Sequence, residues 1–383
     1  MSILLTEEQR MIQTMARDFA REVVAVGAAE RDLTKIFPAR VLAQMGELGF
    51  MGMMVPPEFD GSGTDAVSYV SALSEIAYAC ASTAVVMSVQ NSIVCESLLN
   101  FGTREQKERF LRPLAAGKAI GAFAMTEPDA GSDPVSQKTT ARRDGDHYVI
   151  DGTKRFITSG GNARTVLVTA KTDPSKKHRG ISVFVVPRET PGMTVGHGEE
   201  KMGLRASDTT DLIFNECRVP ADQRLGEEGQ GFKIAMRGLD SGRIGIAAQS
   251  VGVAQAAVDA VVEYTTTREQ FGQPVSRFQG LRWMVADMAV EVSAARQLVL
   301  SAAAMKDRGE NYTMQAAMAK LYASEMVNRV TGTAVQLHGG YGYTMDYPVE
   351  RYYRDARVFT IYEGTSEIQR TVISNHIFND KKK

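Results

Sequence analysis

Glu363 stands in the run Ile361-Tyr362-Glu363-Gly364-Thr365-Ser366-Glu367, between an aromatic residue and a glycine. The pattern reads as a loop-to-helix entry, with Thr365 or Ser366 available as N-cap. A carboxylate flanked by Tyr362 and poor in cations has a raised pKa, which a general base for a weak carbon acid requires. Two other stretches combine flat faces with hydrogen-bond donors. In Phe123-Ala-Met125-Thr126-Glu-Pro-Asp-Ala-Gly131-Ser132-Asp133 an apolar strand runs into a loop of small residues. Its hydroxyls and amides can hold a phosphate or the polar edge of a heterocycle. In Lys154-Arg-Phe156-Ile157-Thr158-Ser-Gly160-Gly161 the ring of Phe156 lies two residues from the Thr158 hydroxyl. On a strand both share one side, so a flat cofactor can stack there and receive one hydrogen bond. Taken singly, the three stretches also read as a surface carboxylate, a Gly/Asp turn and a plain β edge.

Common catalytic signatures are absent. No G-x-G-x-x-G follows a strand, and there is no G-x-x-x-x-G-K-[ST], G-x-S-x-G or H-E-x-x-H. The histidines at 147, 178, 197, 338 and 376 stand apart without metal-ligand spacing, so no metal is expected. Lysine and arginine number 44 against 45 acids, which disfavours nucleic acid or anionic membrane as a partner. Cys80, Cys95 and Cys217 lie far apart, giving neither a disulfide framework nor a zinc knuckle and fitting a reducing compartment.

These residues need elements to position them, and 383 residues suffice for about two or three domains. Thr6 and Gln9 form a capping-box pattern, and Met11, Met15, Phe19 and Val23 recur along one stripe, so the chain opens with a helix. Residues 1–119 read as a helical domain, with turns at 56–61 and at Gly102-Thr103. Residues 120–226 read as β. Tyr148-Val149-Ile150 meets the turn pair Asp151-Gly152, runs follow at 166–169 and 181–186, and Thr210, Leu212 and Phe214 alternate. Lacking a long helical crossover, this part is expected to be a small antiparallel barrel or sandwich. Residues 227–383 read as a helical bundle, with Leu281, Val285, Met288, Val292, Ala295, Val299 and Ala302 on one stripe. The apolar stretch 244–262 is interrupted by Gln249, Ser250, Gln255 and Asp259 and reads as a bundle helix, not a membrane span. The final Lys381-Lys382-Lys383 reads as a solvated tail. No export or import segment is visible, which favours a bacterial cytoplasm over a mature mitochondrial matrix form.

Together MTEPDAGSDP, KRFITSGG, REQFG, QLHGGYGY and IYEGTSEIQR, in this order and spacing, resemble the acyl-CoA dehydrogenase family, most closely its short-chain members. The resemblance implies an α+β, mainly α fold: an N-terminal helical domain, a middle antiparallel β-barrel and a C-terminal four-helix bundle. It implies FAD bound without a Rossmann domain. Phe123, Met125, Thr126, Gly131 and Ser132 would run along the flavin and its pyrophosphate, and Phe156, Ile157 and Thr158 beside its ring system. Arg268, Phe271 and Gln279, with Gln336, Leu337, His338, Gly339 and Gly340, would hold the cofactor of a neighbouring subunit. Thr365, Ser366 and Glu367 would return to it. For an acyl-CoA substrate the implied contacts are Ser132, Asp240, Ser241, Gly242, Arg243 and Gly364. Glu363 would take the α-proton while the β-hydride goes to flavin N5, giving a trans-2-enoyl-CoA. Some relatives carry the base at the position of Gly242, where no carboxylate is available here, and Phe156 replaces the tryptophan of many members. The implied partners are an electron-transfer flavoprotein and three further copies in a dimer of dimers. Other expectations left open are a branched, alicyclic or dicarboxylic acyl-CoA, an oxygen-using flavin oxidase, and a non-catalytic FAD-bound assembly protein.

Overall fold

The computed structural model describes residues 5–379, so the Lys381–Lys383 tail lies outside the described residues. The first third is helical up to Ala115 and opens with the Glu7–Phe19 helix, where Thr6 and Gln9 close the capping box. Its buried face is not the methionine stripe: Ala16, Ala20 and Val24 are buried, whereas Met11 and Met15 are exposed. Small residues let this helix lie close against the buried Ala66–Ala79 helix, and the longer side chains stay outside.

The middle of the chain forms one eight-stranded sheet. Its strands are β1 (Gly121–Ala124), β2 (Thr140–Asp144), β3 (His147–Thr158), β4 (Thr165–Lys171), β5 (Ile181–Pro187), β6 (Met193–Gly198), β7 (Thr209–Pro220) and β8 (Arg224–Leu225). The order is β6-β7-β3-β2-β4-β5-β8, with β1 added on β4. The sheet is mixed, which corrects the antiparallel expectation, because β1 and β2 both run parallel to β4. The chain between β1 and β4 makes the crossover with the β2–β3 hairpin instead of a helix, which periodicity alone does not signal. Strand pairing among the described residues runs from β6 to β8 without closing a barrel.

Asp151-Gly152 is likewise not a turn. It sits inside β3 at a register shift, and Gly152 has φ +147 with Thr139 so close that a Cβ would lie 2.4 Å from its Oγ1. The glycine therefore marks a bulge. The hairpin turn falls at Gly145-Asp146, between paired Asp144 and His147.

Helices resume at Gly231. Gly231–Thr267 and Thr313–His338 pack extensively on each other, and Gln279–Asp307 lies against both. Gly231–Thr267 and Gln279–Asp307 are long and apolar enough to cross a membrane, and the apolar window of the first is 83% buried inside the protein. Met288, Val292, Ala295, Val299 and Ala302 are buried as their spacing requires. The three parts are clasped at one point. Arg354 pairs with Asp32 at 2.7 Å and donates to the Met202 carbonyl, and buried Asp355 accepts from the Leu204 N–H at 2.6 Å.

Candidate active site

Glu363 is placed by unusual backbone. It has φ +52 and Gly364 φ +94, just before the Ser366–Asn379 helix, so both lie in the left-handed region that only glycine enters without strain. Two buried side chains hold this bend. Lys320 Nζ donates to the Gly364 carbonyl at 2.7 Å, and Gln369 Nε2 donates to the same carbonyl at 2.9 Å and to that of Glu363 at 3.2 Å. Thr365, not Ser366, accepts from the Ile368 N–H as the helix cap. On the other flank Tyr362 stacks flat on Phe359, centroids 5.7 Å apart, and its hydroxyl donates to Gln249 at 3.0 Å.

The bend carries the Glu363 carboxylate to Gly242 in the middle of the Gly231–Thr267 helix. A Cβ on Gly242 would lie 2.2 Å from Glu363 Oε2. That oxygen is buried and has no hydrogen-bond partner among the described residues. Burial pushes the Glu363 carboxyl up to about 7, against the pull of Lys320 and Arg243. The expectation of a site poor in cations is thus corrected. Both cations come from helices distant in sequence, Lys320 from Thr313–His338 and Arg243 from Gly231–Thr267, so the residues flanking Glu363 gave no sign of them.

Around this carboxylate the structure gathers residues 240–243. Arg243 is buried and paired with Asp240 at 2.6 Å, and Asp240 also accepts from the Thr313 hydroxyl at 2.7 Å. Ser241 is buried and turned away, with Lys306 Nζ donating to its hydroxyl at 2.6 Å while also pairing with Glu96. One helical turn beyond Gly242, a Cβ on Gly245 would meet Ser88 Oγ at 2.4 Å and Tyr69 Oη at 2.9 Å. Tyr69 and Ser88 thus stand against the helix one turn from Glu363. The sequence reading missed Tyr69, Lys320 and Gln369, since a lysine or tyrosine on an apolar helix shows nothing of its partner until the helices pack.

The aromatic and loop residues sit on the sheet. Phe123, Met125 and Thr126 are half-buried at the end of β1, and Gly131 and Ser132 are exposed beyond it. The loop is anchored by a buried ion pair absent from the sequence reading. Lys154 Nζ lies 2.7 Å from Glu127 Oε1 and also donates to the Met125 carbonyl and to Gln137. Burial lowers the Lys154 ammonium to about 8 despite Glu127. Phe156 follows at a register shift in β3 with φ +59 and is 55% exposed, while Ile157 is buried and Thr158 half-buried. A large aromatic face held open to solvent by left-handed backbone is a ready stacking surface.

A second set of expected residues lies elsewhere. Arg268 and 336–340 line an open cleft of about 510 Å³ with Tyr264, Tyr341 and Asp346. Gly339 and Gly340 have open space where a Cβ would stand, and His338, stacked on Tyr264 at 4.4 Å, has a buried Nε2 without a partner among the described residues. Backbone bared by glycine beside an arginine suits a phosphate-bearing group. Phe271, on the hairpin of β9 (Glu269–Gln270) and β10 (Gln273–Pro274), is 92% exposed. Gln279 starts its helix, exposed. Phe271 and Gln279 do not line the cleft, and neither do Phe156 and Glu363, so the flavin-side residues and the cleft form two half-sites. A long dinucleotide fits them by chemistry: an open aromatic face in one, an arginine with bare backbone in the other.

Comparison with known proteins agrees with this geometry. Family models described as the N-terminal, middle and C-terminal domains of acyl-CoA dehydrogenase match residues 6–118, 122–217 and 229–378. A short-chain specific acyl-CoA dehydrogenase of Clostridium acetobutylicum is 48% identical, covering 99% of this chain and 100% of its own. Butyryl-CoA dehydrogenase from Megasphaera elsdenii superposes with a TM-score of 0.97 at 43% identity, covering 99% and 100% of the two chains. A chain in a structure described as the electron transferring flavoprotein of Acidaminococcus fermentans does so at 0.97 and 46%, covering 98% and 99%.

Proposed function

Since this chain belongs to the acyl-CoA dehydrogenase family and is an FAD-dependent oxidoreductase, we propose that Glu363 removes the α-proton of a short, straight-chain acyl-CoA. One observation carries the proposal: a buried carboxylate oxygen without a partner faces the bare backbone of Gly242. A pKa near 7 lets that group accept a proton at neutral pH and release it afterwards. The Glu363 N–H has no acceptor among the described residues, which leaves it to bind the thioester oxygen and stabilise charge developing there. FAD, when bound, supplies the two-electron acceptor for the β-hydride.

Phe156, Ile157 and Thr158, with Phe123, Met125, Thr126, Gly131 and Ser132, are the residues we assign to the flavin side. Thr365, Ser366 and Glu367 complete them at the start of the last helix. Arg268, Phe271, Gln279 and 336–340 are assigned to the distal half of a cofactor bound by another copy. Their separation from Phe156 supports assembly, as do exposed Phe271, Trp283, Val290 and Tyr343. Asp240, Gly242, Arg243, Gly364 and Ser132 are assigned to the thioester and its nucleotide, while Ser241 steadies the helix through Lys306. A dimer of dimers in a bacterial cytoplasm is the state we infer. Electrons leave to an electron-transfer flavoprotein, an assignment supported by the Acidaminococcus likeness.

The position of Tyr69 and Ser88 supports a short acyl chain. Gly242 and Gly245 are three residues apart, about 4.5 Å along the axis, so Tyr69 and Ser88 stop an acyl chain a few carbons past the base. The test is the Glu363→Gln holoenzyme mixed anaerobically with butyryl-CoA. It should keep its flavin spectrum unbleached while the parent bleaches, and equal bleaching would overturn the assignment. Faster bleaching of the parent by octanoyl-CoA than by butyryl-CoA would overturn the short-chain reading alone.

A further inference from the structure

Lys320 is a fully buried lysine whose ammonium makes no ion pair among the described residues. A charge taken out of water without a carboxylate in direct contact is costly, so the fold must gain something by keeping it. Its one side-chain hydrogen bond among the described residues is to the Gly364 carbonyl, adjoining the base. We propose that Lys320 is a positioning residue for Glu363: it fixes the left-handed 363–364 bend and, with Arg243, supplies positive charge beside the carboxylate.

Geometry supports both parts. The bend is held by two donors from different helices, Lys320 and Gln369, converging on one carbonyl. Gln369 alone satisfies that carbonyl, so a second donor is not needed for hydrogen bonding, and what lysine adds is charge. The groups bearing on Glu363 are Lys320 from one helix and Arg243 from another; Tyr69 and Tyr362 also feel its charge. Arg243 is largely neutralised by Asp240, which leaves Lys320 as the cation without a carboxylate of its own. Glu363 is in turn the strongest charge holding the Lys320 proton, with weaker help from Glu367 and Glu325 and opposition from Arg243. Burial lowers the Lys320 ammonium to about 8, against the pull of Glu363.

This inference rests on Glu363 being the base, and its test separates the two. Lys320→Gln keeps a donor for Gly364 without the charge, and Lys320→Arg keeps the charge. The rate of anaerobic flavin reduction by butyryl-CoA is followed from pH 5.5 to 9.5. In parallel, the infrared carboxyl band of residue 363, identified by its loss in Glu363→Gln, is titrated in the substrate-free holoenzyme. We expect the acid limb and the band midpoint to move up together by about one unit in Lys320→Gln, a tenfold slower reduction at pH 6 that vanishes by pH 9. Lys320→Arg should restore both. An unmoved midpoint in Lys320→Gln, or a uniform rate loss at all pH, overturns the inference. If Lys320→Gln does not fold, Lys320→Arg decides: parent midpoints support the inference and shifted ones overturn it. Were Glu363 not the base, Glu363→Gln would still be reduced, and the band midpoint would judge Lys320 alone.

Discussion

The Glu363 carboxylate occupies the space where a side chain on Gly242 would stand, and Gly242→Ala is the perturbation that exploits it. The added Cβ would stand 2.2 Å from Oε2, 3.0 Å from Cδ and 3.3 Å from Ile93 Cδ1. Restoring ordinary contact at about 3.4 Å requires the carboxylate to retreat by roughly 1.2 Å, since the helix backbone is fixed by its neighbours. A displacement of about 1 Å in a reacting group costs on the order of 10²-fold in rate. The end of a glutamate side chain yields readily, so the fold should be little affected. Stopped-flow reduction of the holoenzyme by butyryl-CoA should therefore slow about a hundredfold, with FAD content unchanged and the melting temperature within a few degrees. A rate within threefold of the parent would refute the reasoning, because the carboxylate would then not need the space that Gly242 leaves.

Three further outcomes are expected. Flavin reduction by butyryl-CoA should lose about tenfold per pH unit below an inflection near 7, because the Glu363 carboxyl raised to about 7 must be ionised to accept the α-proton; a flat profile down to pH 5 would contradict this. Lys154→Met leaves Glu127 buried without its cation, a loss of about 3–5 kcal/mol for a broken buried pair, and should lower both the melting temperature and FAD retention. An unchanged melting temperature would argue against the anchoring role. Burial raises the Asp355 carboxyl to about 7, so the folded chain binds more protons than the unfolded one between about pH 4 and 7. Stability contributed there falls as pH rises through that window, and Asp355→Asn should flatten the fall; parallel curves of melting temperature against pH would refute it.

Much of this organisation was legible from local pattern. The capping box at Thr6, the buried stripe on Gln279–Asp307 and the β-branched runs of β4 and β5 depend on neighbours in sequence, and they stand as expected. Patterns with two structural outcomes were misread. Asp-Gly marks a hairpin turn or a bulge, and only the approach of Thr139 to Gly152 decides between them. The site shows the same divide. Glu363 and Gly242 could each be singled out by motif, but their contact joins residues 121 positions apart, and Lys320, Gln369 and Tyr69 carry no local mark of what they touch. The Glu127–Lys154 pair was hidden likewise, since each member lies in a motif read for other residues.

The central claim concerns one proton, and the direct measurement follows it. Holoenzyme is incubated anaerobically with butyryl-CoA in deuterated water, and the α-carbon signal is observed by NMR. The account predicts deuterium at the α-carbon with the parent protein and none with Glu363→Gln at equal FAD content. Exchange at parental rate in that variant would contradict it.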